Sequence, residues 1–256
     1  MECSIHDVFI DSCFSDQETI RYFGQDFWNL MNESCGNYDL TLSALSFLDY
    51  MLPDKEIDIC DLMCGNGRHA IGLNSLGYKV TAIDIREDVL NNIKRTIGDL
   101  PINWQVKDIY TDTLDAKYDV FTILTSSLGY YGKEQDVKLF QKCFVDFKDN
   151  GKLILDLPNG DWILTHFLAK DWMRIPEAYY LFQYKLIKQE KYTNMVVIKN
   201  DSVEEYYMKM YIYRVDELMK ILKNTGFRNI KLYRDFCINK VDNVENARRV
   251  QVVAEK

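Results

Sequence analysis

Between residues 57 and 158, short apolar runs alternate with segments of helical period, and this alternation constrains the fold more than any other feature of the chain. "IDICDL", "KVTAIDI", "INWQVKDI", "YDVFTILTS" and "KLILDLP" read as strands; "HAIGLNSLG", "REDVLNNIKRTI" and "DVKLFQKCFVDFKDNG" lie among them as helices. Parallel strands buried on both faces read as continuous apolar runs, and each needs a crossover that an amphipathic helix can supply. The pattern predicts a doubly wound α/β sheet, with ligand sites at the carboxyl ends of its strands. Further on, "VDELMKILKNTGF" is an amphipathic helix closed by Gly226. "RNIKLYRDF" and "RRVQVVAEK" follow as two strands close enough in sequence to pair antiparallel.

Two stretches depart from the alternation. Residues 1–44 are helical and aromatic, with a break at Gly36 and Asn37, and are expected to cover the core as a lid. Residues 159–213 are rich in β-formers and aromatics and are expected to form an antiparallel insertion after the fifth strand, part of it walling a substrate. The core is then 45–158 plus 214–256, within one domain spanning 1–256. At 256 residues and 47% hydrophobic content the chain can bury one large core.

A net charge of −8 without a basic run argues against a phosphate-driven nucleic-acid binder and suits a small or cationic partner. No apolar run reaches the ~18 residues of a membrane span. The start, "MECSIHDVFIDS", has no signal-peptide pattern, so the chain reads as cytoplasmic, as a monomer or dimer. Seven scattered cysteines, with no C-x-x-C pair, argue against a disulfide framework.

The chemistry is concentrated in "CDLMCGNGRHA", residues 60–70. A zinc site could use Cys60, Cys64 and His69, but Cys60 belongs to an apolar run and no second ligand pair follows, so no metal is expected. Gly65, Gly67 and Ala70 satisfy the dinucleotide pattern G-x-G-x-x-A between a strand and a helix. Asp61, however, ends the first strand four residues before Gly65, where a carboxylate repels a pyrophosphate and holds a cationic amino group. Asp84 ends the second strand and suits ribose hydroxyls; Asp108 closes the third and can accept from an adenine amino group. An acid, two glycines and two further acids on three successive strand ends form a track for an adenosine that bears an amino acid and no phosphates, which is S-adenosylmethionine.

"DLMCGNGRHAIGLNSLGYKVTAIDIREDVL" resembles the class I methyltransferases with a C-G-x-G-R-H-A glycine loop, and "TSSLGYYGKEQDVKLFQKCFVDFKDNGKLILDLPNGDWI" is similar to their fourth- and fifth-strand regions. The resemblance implies a seven-stranded Rossmann-like sheet with a reversed last strand. It implies S-adenosylmethionine as cofactor, with Asp61, Cys64, Gly65, Gly67, Arg68, Asp84, Ile85, Asp108, Ile109 and Leu124 around it. Met63 departs from the family, which has glycine there. Tyr38, in "NYDL", resembles the Tyr-Asp that precedes the core in small-molecule methyltransferases, and is a candidate at the donor's methionine end and in catalysis. Size, acidity and the aromatic insertion resemble natural-product tailoring enzymes, including the plantazolicin methyltransferase, which dimethylates a peptide N-terminus.

Methyl transfer is an in-line displacement that gains most from alignment. A neutral amine needs no base, whereas a hydroxyl usually needs a base or a metal. The only histidines are His6, His69 and His166, none in a base motif. An amine of a small molecule or short peptide is therefore the expected acceptor, with O-methylation next. Asp161, after "LPNG", is the candidate to meet that amine; Trp162, Tyr180, Phe27 and Trp28 are candidates for the apolar wall. Gly67 is expected to border an open cleft, where a side chain blocks the donor without disturbing the fold. A nicotinamide oxidoreductase and a non-catalytic donor-binding protein are the other classes the residues leave open.

Overall fold

The structure is a computed structural model and describes residues 13–33, 35–239, 244 and 246–256, with the side chains of 35–38 outside the described set. β1 (Asp58–Leu62), β2 (Lys79–Asp84), β3 (Ile102–Val106), β4 (Tyr118–Ile123) and β5 (Phe147–Pro158) pair in parallel, and β10 (Arg228–Arg234) and β11 (Arg249–Glu255) complete the sheet in the order β10-β11-β5-β4-β1-β2-β3. β11 runs antiparallel to both β5 and β10, as the reversed last strand requires. The crossover helices are α4 (Arg68–Ser75), α5 (Glu87–Ile97) and α6 (Lys133–Asp146). α5 has acids in its first turn and bases in its last, matching the helix dipole, and it buries Leu90 and Ile93.

Each face of the sheet has its own core. One holds Phe121, Phe140, Phe147 and Leu155 under α6 and α8 (Val215–Thr225), which adds Leu218 and Leu222. The other holds Leu73, Tyr78, Leu90 and Ile154 together with Ala44, Phe47 and Leu48 of α3 (Cys35–Met51). The leader thus does not stop at residue 44: α3 runs through that point, and its second half is a core helix. Gly36 and Asn37, expected to break the leader, fall within the range of α3.

The insertion is a separate antiparallel sheet, β6 (Lys170–Ile175), β7 (Ala178–Ile187), β8 (Glu190–Lys199) and β9 (Ser202–Tyr211), in sequential order. Alternate residues of β7, Ala178, Tyr180 and Phe182, are buried on one face, with Met195, Val197, Met208 and Met210 from the neighbouring strands. Onto that face pack Tyr22 of α1 (Asp16–Tyr22) and Leu30 of α2 (Gln25–Glu33). Leader and insertion therefore bury each other, and residues of both reach the carboxyl ends of the strands.

Candidate active site

The turn from β1 to α4 requires left-handed backbone at Met63 (φ +55°), Gly65 (φ +55°) and Gly67 (φ +71°). Asp84 clamps it: Oδ2 accepts from the Gly65 amide at 2.8 Å and Oδ1 from the Arg86 amide at 2.9 Å. Met63 stands where the resembling enzymes have glycine, and a left-handed L-residue costs about 1–2 kcal/mol; its side chain packs on the first core and lines the cavity above the turn. The two glycines serve different ends. A Cβ at Gly65 would lie 2.4 Å from Trp28 Cη2, inside the cavity, whereas one at Gly67 would lie 2.6 Å from Trp104 Cη2 and 3.2 Å from Ile93 Cδ1, in the core. The expectation that Gly67 borders an open cleft is thus corrected, because β3 and α5 close over it.

The cavity, about 400 Å³, is within the usual size for a small-ligand site. Its floor is the strand ends, with Asp61, Cys64, Gly65, Asp84, Ile85, Asp108 and Ile109, and Arg68 at the start of α4. Its roof is Tyr22, Phe23, Phe27 and Trp28 from the leader and Met208 and Met210 from the insertion. The wall is the loop after β4, with Leu124, Thr125, Ser126, Tyr130 and Tyr131.

Asp61 is the most perturbed acid in the cavity. It is 1% exposed, Oδ1 accepts from Thr122 Oγ1 at 2.7 Å, and Oδ2 has no partner. Burial pushes its carboxyl up to about 7, against the Thr122 hydrogen bond that favours the charged form. Arg68 donates from Nη2 to Thr125 Oγ1 at 3.0 Å and forms no ion pair among the described residues. His69 is depressed to about 3 by burial, with Arg68 beside it adding to the effect, so its imidazole is neutral. Asp108 Oδ1 accepts from the Tyr110 amide at 2.9 Å, turning the chain just beyond β3.

Thr125 and Ser126 are also left-handed, at φ +54° and +68°. Buried Asp156 of β5 holds them there. Its Oδ2 accepts from the Thr125 amide at 3.0 Å, and its two oxygens accept from Arg249 Nε at 2.9 Å and Nη2 at 2.6 Å. Arg249 Nη2 also donates to Ser126 Oγ at 3.0 Å. Arg249, Tyr130, Tyr131, Met208 and Met210 are cavity residues that sequence reasoning missed. "TSSLGYYG" carried a usable signal, a strand end rich in hydroxyls. Arg249 carried none: it reaches the site because β11 is reversed, which sets Arg249 opposite Pro158 at the carboxyl end of β5.

Three candidates for the acceptor wall do not line the cavity. Asp161 Oδ2 accepts from the Val215 amide at 3.0 Å and Oδ1 from Arg214 Nε at 2.7 Å, so it caps α8 and ties it to α7 (Gly160–Thr165). Trp162 stacks on His166, ring centroids 4.6 Å apart. Tyr180 is fully buried beneath the leader, its hydroxyl donating to the Asp26 carbonyl at 3.0 Å. Asp161 and Tyr180 each satisfy a junction between the insertion and its neighbours, and Trp162 is occupied on its own helix by His166 and by the Arg248 guanidinium 5.4 Å from its ring centroid. The side chain of Tyr38 lies outside the described residues. Asp161→Ala is expected to cost about 1–2 kcal/mol through loss of the cap, with donor affinity and turnover within twofold of wild type. Thermal melting alongside calorimetry with S-adenosylhomocysteine checks it, and a large loss of turnover in a folded variant would restore Asp161 to the site.

A sheet of this order with a reversed last strand, a glycine turn after β1 and acids at the next strand ends defines the class I S-adenosylmethionine-dependent methyltransferases. Residues 59–151 match the methyltransferase domain family. A putative methyltransferase of Bacillus subtilis, YqeM, is 26% identical over 200 residues, covering 74% of this chain and 81% of its own. An S-adenosylmethionine-dependent methyltransferase from Clostridium acetobutylicum superposes with a TM-score of 0.72 at 18% identity, over 84% of this chain and 91% of that one. The sugar N-methyltransferase KedS8 from Streptoalloteichus does so with a TM-score of 0.64 at 14% identity, over 100% and 98%. The protein is an enzyme, a methyltransferase that depends on S-adenosylmethionine.

Proposed function

We propose that the enzyme methylates an amine of a small molecule or short peptide, with the amine arriving neutral. The observation that carries this is the division of charge in the cavity. Its acids, Asp61, Asp84 and Asp108, all belong to the strand ends, whereas roof and wall are aromatic, thioether and hydroxyl groups plus Arg249, which Asp156 already neutralises. A protonated amine entering there finds no carboxylate and loses water, so the surroundings favour its neutral, nucleophilic form. A hydroxyl acceptor would usually need a base or a metal; as bases, His69, which lines the cavity, is too weak, and burial raises the Tyr130 phenol.

The residues fit the cofactor. The unpartnered Asp61 Oδ2 suits an ammonium group, and Arg68, without an acid of its own, suits a carboxylate. Asp84 keeps lone pairs for ribose hydroxyls after accepting two amides. Cys64, Gly65, Ile85, Asp108, Ile109 and Leu124 would surround the adenosine. When bound, the cofactor supplies a methyl group on a positively charged sulfur. The chain supplies alignment, exclusion of water by the aromatic roof, and the rigid Thr125–Ser126 turn beside the acceptor. A mass-spectrometric screen of amino sugars, peptide N-termini and matched phenols with labelled donor tests it. Methyl gain on amines with phenols inert is expected; methylation of phenols alone would overturn the reading.

A further inference from the structure

The loop after β4 has acceptors that are engaged and N–H and O–H groups that are not. The Tyr130 hydroxyl donates to the Ser126 carbonyl at 2.9 Å, and the Ser127 hydroxyl to the Leu124 carbonyl at 2.8 Å. Thr125 Oγ1 accepts from Arg68 Nη2 and Ser126 Oγ from Arg249 Nη2, each at 3.0 Å. A hydroxyl that accepts from a guanidinium turns its own proton away from that group. Among the described residues neither hydroxyl donates in turn, and both residues line the cavity.

Arg249, another cavity residue, adds to this surface. Its Nε and Nη2 edge meets the two oxygens of Asp156, at 2.9 and 2.6 Å. The guanidinium is a planar fork, so Nη1 lies on the edge away from Asp156, and it makes no hydrogen bond among the described residues. Asp156 is fixed in place, because it also accepts from the Thr125 amide at 3.0 Å and from Gln251 Nε2 at 2.8 Å. The ion pair is therefore neutral and stationary. Protons without recipients call for an oxygen that has lone pairs and no proton of its own, which a carbonyl supplies. A hydroxyl would bring a further proton to place, and a carboxylate would bring a charge that the neutral pair cannot balance.

We infer that Ser126 and Arg249 form a carbonyl site for the methyl acceptor, the Ser126 hydroxyl and Arg249 Nη1 both donating to one oxygen. In a cavity of about 400 Å³ that also holds the methyl donor, that carbonyl must lie close to the reacting nitrogen. The acceptor class is then an α-amino amide or a peptide N-terminus. Its side chain falls among the aromatics where Phe23 meets Tyr130 edge-on, ring centroids 4.9 Å apart. This rests on the amine reading given above.

The test sets wild type, Ser126→Ala and Arg249→Lys against phenylalaninamide, phenylalaninol, phenylalanine and 2-phenylethylamine, scored by methyl transfer from labelled S-adenosylmethionine. Wild type is expected to give phenylalaninamide the highest kcat/KM per neutral amine. Ser126→Ala should lower that value about tenfold, for the loss of one hydrogen bond, and leave 2-phenylethylamine within twofold. Arg249→Lys, which keeps a positive charge beside Asp156, should show the same selectivity. S-adenosylhomocysteine should bind Ser126→Ala within twofold of wild type. Comparing variants on one amine cancels the differences in basicity between amines. Equal loss on phenylalaninamide and 2-phenylethylamine would make both residues supports of the turn, and no loss on the amide in either variant would place its carbonyl elsewhere. A wild-type preference for phenylalanine or phenylalaninol would replace the carbonyl by a carboxylate or a hydroxyl. Each of these overturns the inference while the amine reading stands; methylation of none of the four overturns the amine reading and this inference with it.

Discussion

Asp61→Asn is expected to raise the melting temperature of the ligand-free protein while weakening S-adenosylhomocysteine binding by about two orders of magnitude or more. Both effects have one source. Asp61 is dry, and burial lifts its carboxyl to about 7. The ionised form is therefore penalised in the fold. Between the ordinary carboxylate range and pH 7, the folded chain keeps a proton that the unfolded chain has lost, so stability falls as pH rises through that window. Asn keeps an acceptor for Thr122 and removes the charge. The gain at pH 8 is on the order of 1–3 kcal/mol, a melting shift of roughly 3–10 °C in a chain of this size. A bound ammonium reverses the preference. Donor binding at pH 7 should release about half a proton, and affinity should fall as pH drops below 7. Calorimetry in two buffers of different ionisation enthalpy measures that release. A destabilised variant with unaltered donor affinity would sink this account.

Gly67→Val should cost about 3–5 kcal/mol, from a β-branched residue in left-handed backbone together with overpacking against Trp104 and Ile93. The melting temperature of the ligand-free protein should fall on the order of 10 °C. Gly65→Ala is the contrasting variant. Its Cβ meets the indole of Trp28, a ring that borders the cavity and has space to shift, so donor binding should be lost with a smaller loss of stability. Melting curves and S-adenosylhomocysteine titrations of the pair separate the two roles. If Gly67→Val melts like wild type, Trp104 is not held as described.

Asp61, Asp84 and Asp108 were legible as residues of the cavity because each sits at or just past the end of a predicted strand, and strand ends are local events. So was Gly65, whose need for left-handed backbone is written in its type. Phe27 and Trp28 were legible as cavity residues through the aromatic leader. Asp161 misled because an acid after the fifth strand looks alike from sequence whether it faces a substrate or caps a helix; the helix it caps, α8, begins 54 residues later at Val215. Trp162 and Tyr180 misled in a similar way. Aromatic content marks a half-buried strand or helix, and the neighbour that covers it decides whether it meets a ligand.

What the chain determines by itself is the parallel sheet, the glycine turn and the acid track, because apolar period, backbone freedom and strand ends act over a few residues. What only the tertiary structure decided is the roof and wall of the cavity. Arg249 arrives there through the reversal of β11, Asp156 rigidifies Thr125 and Ser126 from the neighbouring strand, and Met208 and Met210 arrive on a sheet that needs α1 and α2 to bury its face. Each of these depends on contacts between segments distant in sequence, whose energy comes from mutual burial and pairing, so no short stretch of the chain specifies any of them alone.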